Sequence, residues 1–294
     1  MLALIAGTGD LPAALIARLP ERPLVCALAG FTPSVTPDVT FRIEHLGSFL
    51  QELRARGVTE VCMAGAVQRP EIDQGQIDAA TLPLVPRIAA AIAQGDDGAL
   101  RTVIAIFEEA GFAVVAAHEI APDLLPEAGT LTRNPIDPER TPQDATLGEL
   151  TVADMGQRDV GQSCLVRGGR VLAREGQDGT DAMLARFAPT DDPLWGIADG
   201  VGDLLGSAGE WLSGPAGALD GVRGAILFKA PKPGQDRRAD LPVIGPQTAA
   251  AAADIGLVGI VIEAGGVMVL HREVVIRTLN TGGLFLWVRP KGGA

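Results

Sequence analysis

The chain has no tyrosine, only three cysteines and three histidines, and aromatic residues make up 4% of its 294 positions. Cys26, Cys62 and Cys164 stand far apart, which excludes both a disulfide framework and a Cys-x-x-Cys metal site and fits a reducing, cytoplasmic setting. Lysine occurs only at 229, 232 and 291, never in a Gly-x-x-x-x-Gly-Lys-Ser/Thr arrangement, so the usual phosphate loop is missing. Neither Gly-x-Ser-x-Gly nor His-Glu-x-x-His occurs, and His45, His118 and His271 are isolated in sequence. A hydrolase built on serine and histidine is therefore disfavoured, and each histidine reads as a surface or packing residue. No apolar run approaches the roughly 18 uncharged residues of a membrane span, since even residues 257–270 carry Glu263 and glycines. The first residues lack the basic lead of a secretory signal and read as a strand. Positive charge is also in deficit, 24 Lys plus Arg against 36 Asp plus Glu, a net charge of −12. That balance repels phosphate backbones and anionic lipid surfaces, so no nucleic-acid partner is expected and any membrane contact is peripheral.

What the chain does have is a 47% hydrophobic content with 20% charged residues, enough for a sizeable core. Its length predicts two domains. Over residues 1–125, strand-like runs at 2–6, 24–28, 40–43, 58–64 and 113–117 alternate with helical ones at 12–19, 47–56, 82–94 and 100–110. This alternation predicts an α/β domain with a parallel, Rossmann-like sheet. Proline-rich, polar sequence from 122 to 143 places a linker at 126–146. A C-terminal mixed α+β domain, 147–294, follows. It opens with a hairpin of 164–167 and 170–174 about Gly168-Gly169, where both turn positions tolerate positive φ. Further strands are expected at 224–229, 259–263, 267–270 and 284–288, with helices at 248–254 and 272–279.

Four clusters carry candidate chemistry. Gly7-Thr8-Gly9-Asp10-Leu11-Pro12 joins a strand to a helix and reads either as a tight turn or as a cradle for phosphate or sugar oxygens. Its third dinucleotide glycine is missing, which weakens an NAD site. Gly95-Asp96-Asp97 suits a helix start. Glu175, Asp178, Gly179, Thr180 and Asp181 form a second polar turn before a helix, for which a capped turn is the simpler reading. The densest cluster runs from Lys229 to Pro242 with Lys232, Gln235, Asp236, Arg237, Arg238 and Asp240. Cations there suit phosphate oxygens and carboxylates suit a hard divalent metal or a water, although a solvated loop of mutual ion pairs has the same composition.

At these clusters the sequence resembles the UDP-2,3-diacylglucosamine pyrophosphatases of the LpxI type, which act in lipid A biosynthesis. The resemblance continues through Met63-Ala64-Gly65 with Arg69-Pro70, Asp159-Val160-Gly161-Gln162, Gly179-Thr180-Asp181-Ala182-Met183-Leu184 and Ile244-Gly245-Pro246. It implies a two-domain enzyme that hydrolyses the diphosphate of UDP-2,3-diacylglucosamine by attack of water at the α-phosphorus. The products are UMP and 2,3-diacylglucosamine 1-phosphate, lipid X, and the lipid product is held between the domains. It also implies Mg²⁺ or another divalent cation, a cytoplasmic location peripheral to the inner membrane, and a functional aspartate whose Asp-Leu-Pro context matches Asp240. Gly7, Thr8, Gly9, Asp10, Leu11, Gly65, Arg69, Gly95, Asp96, Asp97, Gly179, Thr180, Lys229, Lys232, Gln235, Arg237 and Arg238 become candidates for substrate contact. Asp240, Asp236, Asp181 and Glu175 become candidates for metal. Residues from about 189 to 220 form an insertion absent from the usual family pattern, its apolar spacing suiting packing on the core or a homo-oligomer partner and, as an alternative, shelter for acyl chains. The competing readings are a non-catalytic nucleotide-sugar or lipid-binding relative and, more distantly, a dinucleotide-dependent oxidoreductase.

Overall fold

The computed structural model describes residues 1–67, 70, 72–92, 96–188, 221–238 and 240–292, so Arg69, Gly95 and the insertion at 189–220 lie outside it. Two compact units emerge: Met1–Leu125 together with Gly234–Leu241, and Pro126–Pro233 together with Pro242–Ala294. The segment bearing Asp240 thus belongs to the first unit, which differs from the contiguous C-terminal domain expected from sequence.

In the first unit, β1 (Leu2–Ala6), β2 (Leu24–Leu28), β3 (Val39–Phe41), β4 (Glu60–Ala64) and β5 (Ala113–Val114) pair in the order β3-β2-β1-β4-β5, all parallel. The central strands are continuously apolar because both faces are covered. Ala3, Cys26 and Val61 share a core cluster with α2 (Leu46–Ala55) and α4 (Asp96–Glu109). Their neighbours Leu4, Val25 and Cys62, which period 2 sends to the opposite face, are just as inaccessible. Helix α1 (Leu11–Ile16) follows β1, and α2 buries Leu46, Phe49, Leu50 and Leu53, the i, i+3, i+4, i+7 stripe of a helix laid on a sheet. The helix expected at 82–94 is a 3₁₀ turn, Leu82–Leu84, followed by α3 (Val85–Ile92). The strand expected at 113–117 stops at Val114, and Ala117–Ile120 turn into the short α5.

The second unit centres on a six-stranded mixed sheet in the order β6-β13-β11-β9-β7-β8. Its strands are β6 (Gly129–Thr130), β7 (Ser163–Arg167), β8 (Arg170–Arg174), β9 (Ile226–Lys229), β11 (Gly259–Glu263) and β13 (Phe285–Arg289), while β10 (Val243–Ile244) and β12 (Met268–Val269) form a small parallel pair. The middle three, β9, β11 and β13, are parallel; β6 and β7 beside them run antiparallel, and the edge strand β8 is antiparallel to β7. The expected hairpin is present, with Gly168 at φ 56° and Gly169 at φ 73°.

Residues 126–146, read above as a linker, are built into this unit. β6 pairs with β13, and Arg140 begins α6 (Arg140–Gln157). Asp137 starts that helix by accepting the amides of Glu139 and Arg140 at 2.9 and 3.0 Å, bonds that also hold its carboxyl below the usual range. Pro142, which looked like a linker signal, sits in the first turn, where a missing N–H is tolerated. Helix α6 covers one face of the sheet through Ala145 and Val152 against Cys164, Ile226, Phe228 and Val261. The other face packs on α7 (Gly179–Ala185), α8 (Pro246–Asp254) and α9 (Arg272–Gly282) through Met183, Leu184, Ala249, Ala252, Val275 and Leu279. Asp144 on α6 accepts the amides of Gly168 and Gly169 at 2.9 and 2.7 Å and so fixes the hairpin tip.

Helix α6 comes close to the sheet at Gly148, where an added Cβ would stand 2.5 Å from Phe228 Cγ. Gly148→Ala gains about 1 kcal/mol of helix propensity, but forcing a methyl into a packed ring costs about 1–3 kcal/mol. Net destabilisation is expected in urea or thermal unfolding, and a stabilised variant would contradict this packing.

Candidate functional site

In the first unit, the carboxyl ends of β1 and β4 mark the point where the connections diverge to opposite sides of the sheet, the usual place for a ligand in an open α/β sheet. Here the two following loops are laced together. Gly7 N–H donates to Ala64 O at 2.8 Å, Thr8 N–H to Ala66 O at 2.8 Å, Ala66 N–H to Thr8 O at 3.0 Å, and Thr8 Oγ1 to Ala66 O at 3.1 Å. The amides of Gly7 and Thr8 are therefore used by backbone carbonyls. Glycine is required for a steric reason: a Cβ on Gly7 would lie 2.5 Å from Ala66 O, and one on Gly65, at φ +93°, 2.7 Å from Thr8 O. Thr8, Gly9, Asp10 and Gly65 are exposed at this edge and Leu11 is buried beneath it. Asp10 is the N-cap residue of α1 without a side-chain capping bond. Asp96 and Asp97 are the first residues of α4.

The same unit holds the segment Gly234–Leu241. Arg238 fastens it: Nε and Nη2 donate to the two oxygens of Asp236 at 2.9 and 2.7 Å, and Nη1 donates to Glu108 on α4 at 2.5 Å. The Arg238 hydrogen bonds hold the Asp236 carboxyl below its ordinary range against the opposing effect of burial, and the guanidinium is raised in turn. Asp240 N–H donates to Asp236 O at 3.2 Å, and the buried Gln235 gives its side-chain N–H to Asp240 Oδ2. Asp240 is thus a half-buried carboxylate aimed by a neighbouring amide, in a loop clamped by an arginine. Arg237 is exposed. His118 on α5 lies within electrostatic reach of it, and burial first, then Arg237, pulls the imidazole pKa down. The buried Nδ1 of His118 has no hydrogen-bond partner among the described residues. Isolation in sequence had concealed this histidine's neighbourhood.

In the second unit the remaining candidates gather at the carboxyl end of β9. Lys229 Nζ donates to Thr180 Oγ1 at 2.7 Å, Thr180 Oγ1 to Glu175 Oε2 at 2.8 Å, and Ser163 Oγ to the same Oε2 at 2.6 Å. All four residues are more than nine-tenths buried. Ser163, which sequence reading missed, is the register partner of Lys229 on β7, a neighbourhood that only sheet pairing discloses. Lys232 pairs with Asp159 at 2.5 Å, so the Asp159-Val160-Gly161-Gln162 motif holds a lysine of the Lys229–Pro242 cluster. Asp159 adopts φ 54°, and a Cβ on Gly161 would lie 2.6 Å from Glu175 O. Gly179 and Thr180 open α7, and Asp181 on it is exposed. A cavity of about 350 Å³ adjoins this cluster, lined by Asp154, Met155, Arg158, Val160, Arg174 and Glu175.

The four metal candidates divide between the units, Asp236 and Asp240 in the first and Glu175 and Asp181 in the second. No group of three or more His, Cys, Asp or Glu converges as a cation cage among the described residues. Burial pushes all three thiols up to about 12, which keeps them protonated and disfavours them as nucleophiles.

Residues 1–124 match the LpxI N-terminal domain and residues 127–287 the LpxI C-terminal domain. The chain is also 36% identical over 291 residues to the UDP-2,3-diacylglucosamine pyrophosphatase LpxI of Caulobacter vibrioides, a match covering 97% of this chain and 96% of that protein. With both domains matched in order and the likeness running the whole length, the chain belongs to the LpxI family.

Proposed function

We propose that this protein hydrolyses the diphosphate of UDP-2,3-diacylglucosamine, with water attacking the α-phosphorus to give UMP and 2,3-diacylglucosamine 1-phosphate, a step of lipid A biosynthesis. The observation that carries this reading is the full-length identity to an enzyme of that name. The aimed carboxylate at Asp240 gives the reaction a residue to depend on.

A pyrophosphate concentrates negative charge around the scissile bond, so cations must offset it before water can approach. In the proposal Lys229 and Arg237 make that contribution, whereas the charge of Lys232 is met by Asp159. Arg238, whose guanidinium is taken up by Asp236 and Glu108, serves by holding the segment in place. Asp240 carries the negative charge needed at the water, as a ligand of the cation or as acceptor of the water's proton. Gln235 keeps the carboxylate turned to that task.

The donor set suits a hard divalent cation, which commonly takes one or two carboxylates and completes its shell with water and substrate phosphates rather than with an all-protein cage. Asp240 would hold it. Asp236 is a poorer ligand because both its oxygens accept from Arg238, and Glu175 because its Oε2 takes two hydroxyls. Bound there, Mg²⁺ would neutralise phosphate oxygens and acidify its water.

Among the described residues no helix is long and apolar enough to cross a membrane. Because the proposed substrate is a lipid, we place the protein at the cytoplasmic face of the inner membrane as a peripheral enzyme.

Two outcomes test the proposal. Purified protein supplied with the UDP-linked lipid and Mg²⁺ is expected to release UMP, and Asp240→Asn is expected to cut turnover by about 100-fold or more with an unchanged melting temperature; near-normal turnover of that variant would remove Asp240 from its role. Treatment with EDTA is expected to abolish UMP release and added Mg²⁺ to restore it, whereas undiminished turnover in chelator would exclude the cation.

A further inference from the structure

We infer that Glu175 is a positioning residue for Lys229, acting through the hydroxyl of Thr180, and is not a metal ligand. This inference rests on the proposed function, in which Lys229 meets the substrate's phosphates.

Hydrogen counting fixes the direction of the chain. Thr180 has one hydroxyl hydrogen, and it points to Glu175 Oε2 at 2.8 Å. Its oxygen therefore accepts from Lys229 Nζ at 2.7 Å. The Ser163 hydrogen goes to the same carboxylate oxygen at 2.6 Å, closer than its 3.2 Å approach to Thr180. The result is an ammonium balanced by a carboxylate one hydroxyl away. Each member is polarised by the next, since a hydrogen bond to a charged group in a low-dielectric site strengthens its neighbours.

Stability alone is a weak reason to retain such a chain. Taking a carboxylate and an ammonium out of water is expensive, and apolar replacements of buried ion pairs are often neutral or stabilising. Three elements nonetheless converge to build it. β7 supplies Ser163 opposite Lys229, the end of β8 leads into Glu175, whose amide donates to Ser163 O at 3.0 Å, and α7 supplies Thr180. Lys229 ends β9, the parallel strand bordering the antiparallel β7, and so sits where the sheet changes direction. The carboxyl end of a parallel strand at a change of connection is where such sheets present ligand-binding groups. An interposed hydroxyl keeps the ammonium from collapsing onto the carboxylate while leaving its charge compensated.

The experiment compares Thr180→Val, Thr180→Ser, Glu175→Gln and the double variant Glu175→Gln with Lys229→Met by steady-state hydrolysis of the UDP-linked lipid and by thermal unfolding. Thr180→Val and Glu175→Gln are expected to lose roughly 30-fold or more in kcat with KM moved by less than about threefold. Thr180→Ser, which keeps the hydroxyl, is expected to recover most of that loss. The double variant removes both buried charges, so it is expected to melt no lower than Glu175→Gln alone yet to remain as inactive as the single variant. Wild-type kcat in Glu175→Gln or Thr180→Val would show the chain to be packing only and would overturn the positioning role. A wild-type chain without turnover would instead overturn the proposed function, and this role with it.

Discussion

Arg238 bonded on one side to Asp236 and on the other to Glu108 is the interaction on which the reading of this molecule depends. Without it the run from Lys229 to Pro242 would be a proline-stiffened surface loop with unassigned charges. With it, the charges of Gly234–Leu241, a stretch grouped with the first unit although both flanking stretches belong to the second, have defined partners. An exposed ion pair contributes little, but a guanidinium engaging two carboxylates has a geometry that a single pair lacks. The clamp also removes two charges from the candidate list. Asp236 and Arg238 satisfy each other, which leaves Asp240 as the acid of the segment.

The two units apply one rule to different ends. In each, a parallel strand ends at a change of connection and polar residues gather there. In the first unit that edge is spent mostly on backbone, since the loops after β1 and β4 bond to each other. In the second it is spent on side chains, with Ser163, Glu175, Thr180 and Lys229 in one buried chain. The same six-residue glycine motif that suggests a phosphate cradle is thus explained in large part by close backbone approach, and the turn before α7, which reads as a mere cap, turns out to hold a lysine.

What the sequence disclosed followed the strength of its periodic signal. β1, β2, β8 and β11 are uniformly apolar or bounded by glycine turns, and their limits were readable to the residue. Helix α6 was not, because its buried face, Thr141, Asp144, Ala145, Gly148, Thr151, Val152 and Met155, is mostly small or polar, suited to close approach and to gripping a hairpin, with only Val152 and Met155 giving a hydrophobic signal. The assignment of 234–241 to the first unit was invisible for another reason: its contacts there are with residues far away in sequence, Arg238 meeting Glu108 130 positions off among them. Asp240 became a candidate through its Asp-Leu-Pro context, whereas Ser163 carried no signal at all until strand register set it beside Lys229.

Gly7 and Gly65 lie back to back, each lacking a side chain because the other's backbone occupies the space. Such a pair is locked: no single replacement at either site has a neighbour able to yield, since carbonyl groups in a paired loop cannot rotate away as a side chain can. Libraries that randomise one position at a time would return glycine at both and suggest two separate requirements. Only joint redesign of both loops could move this corner of the protein to a new shape.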